Sequence, residues 1–334
     1  MHADNYECPP VMVCGFKRPD YLSRVMEVLK QVRPKKLYLV LDAPRSDRED
    51  DFLGCNECRK IFESVDWPCD VKRNFAVENM GCGKRMTTGI SWVFEHEECA
   101  IILEDDCVPH PTFFRYCSEL LEKYKDDNRV GAINGHDEHL HLNKVDFHGD
   151  SYYFDRMMNC WGWATWRRAW RLHDPTLSYL NKLCESGATM NIFNSRRYYK
   201  LWKENIWRIH DGIKKTWAGA WATTIYKEGL LVIHPTQNLI SNIGYENSSR
   251  EGQVVGTESD VKKRHGSPFS KRAVKPMIFP LQHPVSMIIN ARCERFCLAD
   301  SLYATPFQKA WRDPYTAFRR VVSIFSKTLK RCGC

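Results

Sequence analysis

Short apolar runs alternate along the first half of the chain with stretches of helical spacing. Val11-Met12-Val13-Cys14-Gly15-Phe16 and Leu37-Tyr38-Leu39-Val40-Leu41 read as buried strands, each closed by polar or turn residues. Between them, Leu22, Val25, Met26 and Leu29 recur at helical intervals from Tyr21 to Gln31. A second helix is predicted over roughly 51–65, a short third strand over 70–74 and a helix over 86–95. Ile101-Ile102-Leu103 forms a fourth strand, with a helix from Thr112 to Lys125 behind it. A further strand is expected over 129–135, followed by a strand at Tyr152-Tyr153-Phe154. Helices over 195–209 and 216–228 and a strand at Leu230–Ile233 complete the pattern. Strand–helix alternation at this spacing predicts an α/β chain with a mostly parallel, Rossmann-like central sheet and helices on both faces.

The predicted strands deliver chemistry to one sheet edge, where open α/β sheets bind ligands. Phe16, Lys17 and Arg18 follow the first strand, and Asp42, with Arg45 close behind, follows the second. The loop Asn79-Met80-Gly81-Cys82-Gly83-Lys84-Arg85 follows the third, and Glu104-Asp105-Asp106 follows the fourth. Gly81-x-Gly83 is not the full dinucleotide fingerprint and does not follow the first strand. Three adjacent carboxylates repel one another unless a cation sits among them. A divalent ion bridging to a phosphate would satisfy them, whereas an acidic cap on the next helix is the plainer reading. The convergence on one edge favours a nucleotide site, its base and ribose against Phe16, Lys17 and Asp42.

Composition narrows this only a little. The chain has 334 residues, enough for one large domain or two modest ones, with 43% hydrophobic and 27% charged residues. The net charge of +8 suits anionic partners in general; nucleic acid is not among those expected. Fifteen cysteines without an N-terminal apolar segment lead us to expect free thiols and a cytoplasmic setting. Cys55-Asn-Glu-Cys58 has no partner pair at zinc-ribbon spacing. No apolar run is long enough to span a membrane.

Past residue 135 the texture changes. His136, His139, His141 and His148 read as loop histidines. Trp161-Gly162-Trp163-Ala164-Thr165-Trp166-Arg167-Arg168-Ala169-Trp170 is either an aromatic floor on which a sugar stacks or plain core. Residues 246–275 form a polar linker, and 276–334 a C-terminal extension. From Pro306, aromatic and aliphatic residues at helical spacing alternate with Lys and Arg. That pattern suits an anionic membrane surface, or an amphipathic helix packed on the domain.

Taken in order, these motifs resemble nucleotide-sugar-dependent glycosyltransferases of the GT-A fold. They look closest to the family-two-like bacterial and viral enzymes labelled hemolytic protein-like. The acidic stretch is also similar to that of eukaryotic N-acetylglucosaminyltransferases that start hybrid glycans. The resemblance covers about residues 10–245, with a donor half over 10–135 and an acceptor half over 136–245. It implies transfer from a nucleoside diphosphate sugar, a UDP-sugar first, to a glycan or lipid-linked acceptor, with inversion. It implies Mn²⁺ or Mg²⁺ on Asp106 and Asp105, with His234 as a further ligand. Donor contacts would come from Phe16, Lys17, Arg18, Asp42, Arg45, Asn79, Gly81, Lys84, Glu104 and Asp105. Trp161, Gly162, Trp163, Trp217 and Trp221 would form the acceptor side. One departure matters: relatives carry an acid in the segment that here reads Trp217-Ala218-Gly219-Ala220-Trp221. Asp211 and Glu204 are the nearest substitutes as general base. A sugar nucleotidyltransferase, or a nucleotide-sugar-binding, membrane-associated protein with impaired catalysis, are the alternatives.

Overall fold

The computed structural model describes residues 6–136, 145–187, 196–245, 273–291 and 293. The first half of the chain folds as the pattern predicts. Strands β1 (Val11–Gly15), β2 (Lys36–Leu41), β3 (Asp70–Phe75) and β4 (Cys99–Glu104) alternate with helices α1 (Pro19–Val32), α2 (Glu49–Glu63) and α3 (Gly81–His96). Then come β5 (Cys107–Pro109), α4 (Thr112–Lys123), β6 (Val130–Asn134), β7 (Tyr152–Asp155), β8 (Trp163–Trp166) and α5 (Arg167–Trp170). Helices α6 (Leu180–Glu185), α7 (Arg196–His210) and α8 (Ala218–Glu228) precede β9 (Leu231–Pro235) and β10 (Ile240–Asn242).

The main sheet has eight strands in the order β3-β2-β1-β4-β8-β6-β9-β7, and β10 pairs with β5 in a small second sheet. Strands β3, β2, β1 and β4 run parallel, while β8 lies antiparallel between β4 and β6. The chain leaves β1 toward β2 and β3 on one side and returns to β4 on the other. The crevice above β1 and β4 is therefore the topological switch point, the usual ligand position of a Rossmann-like sheet.

Side chains along the central strands face two cores in turn, as pleating requires. Val11, Val13, Leu37, Leu39, Ile101 and Leu103 pack under α1, α2 and α4. Met12, Tyr38, Val40, Ala100 and Ile102 pack under α3 and α8. A satellite core of Leu177, Leu180, Trp202, Ile206, Ala220 and Tyr226 joins α6 and α7 to the outer face of α8.

Trp163, Trp170, Trp217 and Trp221 belong to the second core, and Trp166 to the first. Trp163 stacks on Trp217 at 5.6 Å, and Trp221 sits 5.9 Å from Trp163 and 5.1 Å from Trp170. Trp163, Trp217 and Trp221 are buried, so no ring face is open to a sugar; the expected acceptor floor is core at these positions. The reason is β8: a four-residue strand aims Trp163 into the core between the central sheet and α8. Gly162 precedes it with φ +64°, packed against Ile240, where a Cβ would meet Ile240 Cδ1 at 2.5 Å. Trp161 stays half-buried, edge-on to His136 at 4.7 Å. Cys55 and Cys58 are buried free thiols in α2. Among the described residues no helix is long and apolar enough to cross a membrane. The predicted amphipathic stretch from Pro306 and most of the 246–275 linker lie outside the described residues.

Candidate functional site

A cleft of about 310 Å³ opens at the switch point. Four connections supply its walls. The β1–α1 turn gives Phe16, Lys17 and Arg18, and the β2–α2 connection gives Asp42 and Arg45. The start of α3 gives Asn79, Gly81, Cys82, Arg85 and Met86, and the end of β4 gives Glu104 and Asp105. Cys14 and Gly15, the last residues of β1, lie at its base.

Asp42 is the organiser of the α3 side. Its carboxylate accepts hydrogen bonds from the backbone N–H groups of Ala43 (3.0 Å), Met80 (2.9 Å) and Gly81 (2.9 Å). Asn79 Nδ2 donates to it at 3.3 Å and to the Ala43 carbonyl at 2.7 Å. The carboxylate thus caps the helix from outside, satisfying donors that an α-helix leaves open. Gly81 enters the helix at φ +74°, a conformation that favours glycine.

The cations of the β1–α1 and β2–α2 connections are paired. Lys17 is bound to Asp50 at 2.6 Å and also to Asp51. Arg45 forms a two-point pair with Asp51, at 2.6 and 2.9 Å, and its guanidinium lies over the Phe16 ring at 5.9 Å. The Arg45 hydrogen bond, aided by Lys17 and opposed by burial, holds the Asp51 carboxyl well below the usual carboxylate range. Arg18 spans the acidic turn: it pairs with Asp105 through Nη2, and its Nη1 donates to Asp106 at 2.8 Å.

Arg85 differs from these three. It is 3% exposed and lines the cleft, yet among the described residues its only oxygen partners belong to Asn74, the carbonyl and the amide oxygen at 3.0 Å. Its Nε has no hydrogen-bond partner among the described residues. Burial pulls its pKa below the ordinary arginine value. A buried cation with no hydrogen-bonded carboxylate, and only the charge of Asp42 acting on it, favours an incoming anion.

Several expected site residues stand elsewhere. Lys84 is exposed and does not line the cleft, because α3 starts at Gly81 and turns position 85 inward instead. Asp211 is exposed and paired with its neighbour His210 at 2.9 Å, and Glu204 is exposed on α7; neither lines the cleft. His234 is buried in β9, its Nε2 2.9 Å from the Met157 carbonyl and its ring stacked on Tyr153 at 5.2 Å. Burial drives its pKa down to about 4. It does not join the acids: among the described residues no group of three or more His, Cys, Asp or Glu side chains could hold a metal ion. Carboxylate oxygens are the right donors for Mn²⁺ or Mg²⁺. As placed, however, Arg18 lies across two of the three acids, and the set does not fit an ion.

Two further segments contribute to the site. Arg85 shares the inward side of α3 with Met86, Gly89 and Ile90, a helical period visible in the sequence once the helix is started at Gly81, and the exposed Cys82 lines the cleft one turn earlier. The Asn238–Gly244 segment closes the acidic turn from behind. Asn242 pairs with Cys107 across β10 and β5, and the Ile243 N–H donates to the Asp106 carbonyl at 2.9 Å. Gly244 passes so close that a Cβ there would strike Asp106 Oδ2.

Glu104 reports on the charge of the site. Burial, then the charges of Asp106 and Asp105, push its pKa up to about 8, against the pull of Arg18. The folded carboxyl holds its proton to higher pH than an unfolded one. Its contribution to stability is therefore greatest below the ordinary glutamate range and is lost as pH rises through about 8. Glu104→Gln removes this loss. The melting temperature of the variant should gain on that of the parent from pH 5 to pH 9; parallel curves would contradict the assignment.

Neither a family model nor a curated protein matches the sequence. Among solved structures, the chain is similar to UDP-glucose pyrophosphorylase complexed with UDP-glucose, with a TM-score of 0.38 and 9% identity over 71% of this chain and 94% of that one. It is also similar to apo-UDP-glucose pyrophosphorylase, with a TM-score of 0.35 and 10% identity over 70% and 93% of the two chains. For 4-diphosphocytidyl-2C-methyl-D-erythritol synthase from Anaerococcus prevotii DSM 20548 the TM-score is 0.28, with 10% identity over 57% and 86%.

Proposed function

We propose that the chain is a transferase acting on a nucleoside diphosphate sugar bound in the switch-point cleft. The carrying observation is Arg85, a buried cation with an unpartnered Nε that lines the cleft at the start of α3. A diphosphate there gains a charge-assisted hydrogen bond and the positive end of the helix together. Phe16 offers a ring to the base, and Asn79, held by Asp42, offers its amide to base or ribose. Glycosyl transfer is the finer reading we favour. The acceptor hydroxyl attacks the anomeric carbon, the bond from that carbon to the diphosphate oxygen breaks, and the acceptor proton passes to a base. The β1–α1 connection supports this choice: it is three residues long, Phe16 to Arg18, with no room for a long glycine-rich phosphate loop.

One observation favours a second reading, nucleotidyl transfer. Neither Asp211 nor Glu204 lines the cleft, so the general base is not located. A sugar 1-phosphate attacking a nucleoside triphosphate is already an anionic nucleophile and needs no such base. UDP-glucose pyrophosphorylase, the name carried by two of the solved structures above, is an activity of this kind.

The test is thermal shift of the full chain against a panel of nucleoside diphosphate sugars, with and without Mn²⁺, because a ligand that binds only the folded state raises its melting temperature. A shift should be followed by two product assays. Nucleoside diphosphate released only with a glycan or lipid-linked acceptor assigns glycosyl transfer. Label exchanged from pyrophosphate into nucleoside triphosphate assigns nucleotidyl transfer. No shift with any donor overturns both. For residues 306–334 we propose contact with an anionic membrane surface, checked by liposome sedimentation that falls with salt and disappears on truncation.

A further inference from the structure

The acidic turn already holds a cation, and it is one of the chain's own. Arg18 projects from the β1–α1 turn over the end of β4. Its Nη2 is bound to Asp105 Oδ1, its Nε lies 3.3 Å from Asp105 Oδ2, and its Nη1 lies 2.8 Å from Asp106 Oδ2. Three of the four carboxylate oxygens are engaged by one planar guanidinium. The fourth, Asp106 Oδ1, lies 3.4 Å from Cys107 Sγ. The Tyr21 ring lies 5.3 Å from the guanidinium carbon and steadies it. The carboxylates are nearly enclosed, with side-chain exposures of 4% and 15%, whereas Arg18 keeps 28%.

We propose that Arg18 is the resident counter-ion of Asp105 and Asp106, and that in the ligand-free chain it keeps divalent cations out of that position. A divalent ion must have several oxygen ligands free at short range. Here it would have to displace a two-point, charge-assisted pair from two enclosed carboxylates. The pair is pre-organised, because the guanidinium fork matches carboxylate geometry without further ordering. Neutralisation, the need that made a metal plausible from the sequence, is therefore met from within. The inference does not depend on the identity of the ligand and stands apart from the reading given under Proposed function.

Mn²⁺ alone is the probe, titrated into the full chain without nucleotide and followed by the paramagnetic resonance signal of the free ion. The parent chain should bind Mn²⁺ weakly. Arg18→Gln, which leaves the carboxylates without their cation, should bind one Mn²⁺ about tenfold tighter or more, the scale of one lost charge-assisted hydrogen bond. Adding Asp106→Asn to that variant should erase the gain. Equal affinity in parent and Arg18→Gln, or a gain that survives Asp106→Asn, overturns the proposal. If circular dichroism shows Arg18→Gln unfolded, Arg18→Lys serves instead, since an ammonium is a point charge that cannot span both acids. It should bind Mn²⁺ measurably tighter than the parent, and parity there is equally fatal. Failure to bind any nucleotide sugar would sink the proposed function and leave this measurement intact.

Discussion

Asp42→Ala should lower stability by about 3 kcal/mol, and Asp42→Asn should cost nearly as much. A donor left without an acceptor costs roughly 1–3 kcal/mol where it is buried, as at Ala43, and less at the half-buried Met80 and Gly81 and the exposed Asn79. Asp42 is 5% exposed and serves three backbone N–H groups and the Asn79 amide. Alanine abandons all four. Asparagine keeps the shape but turns an N–H₂ group toward partners that are themselves donors, so the isosteric change does not rescue the site. Both variants should also lose nucleotide-sugar binding, because the start of α3 loses its anchor. Urea unfolding gives the stability, and amide exchange at Met80 and Gly81 gives the local effect. An asparagine variant with parental stability and unchanged exchange would show that Asp42 is a turn residue and nothing more.

The sheet was legible in the sequence where its strands are buried on both faces. A run such as Leu37–Leu41 has only one way to hide its apolar side chains and its backbone together. Strand β8 was not legible. Trp163-Ala164-Thr165-Trp166 pairs with β4 and β6, more than 25 residues away in either case, and its aromatic content is as consistent with a surface platform as with a core. Only the pairing shows that Trp163 faces Trp217 and Trp221. The convergence of Phe16, Asp42, Asn79 and Glu104 on one cleft was legible, because parallel strands end at the same edge. The partner of each charge was not. Lys17, Arg18 and Arg45 sit among Asp50, Asp51, Asp105 and Asp106, and sequence spacing does not say which cation takes which acid. That choice decides whether the acidic turn is open to an ion. Helix phase decided the remaining case: with α3 begun five residues before Met86, the inward position falls on Arg85 rather than Lys84.

Arg85→Met should weaken binding of a nucleoside diphosphate by about 100-fold while leaving the fold as stable as before or more so. The two effects have one cause. Taking a guanidinium out of water costs several kcal/mol, and here no hydrogen-bonded carboxylate offsets it; only the charge of Asp42 acts against the cost, and burial outweighs it. The hydrogen bonds to Asn74 recover part of that cost. Methionine fills much of the same space without a charge, so the folded state loses the penalty together with those bonds. The ligand loses a buried cation, worth about 2–5 kcal/mol where an opposite charge is left unmatched. Binding is read with UDP by calorimetry and stability by urea unfolding, with Lys84→Ala as the control. Lys84 is exposed, and its replacement should change stability by no more than about 0.5 kcal/mol and leave UDP affinity as it was. If instead Lys84→Ala abolishes binding and Arg85→Met only unfolds the chain, Arg85 is a structural residue. The anion would then sit nearer the mouth of the cleft. A rise in melting temperature with UDP binding lost is the outcome that a purely structural arginine cannot give, because such a residue would be missed by the fold and not by the ligand.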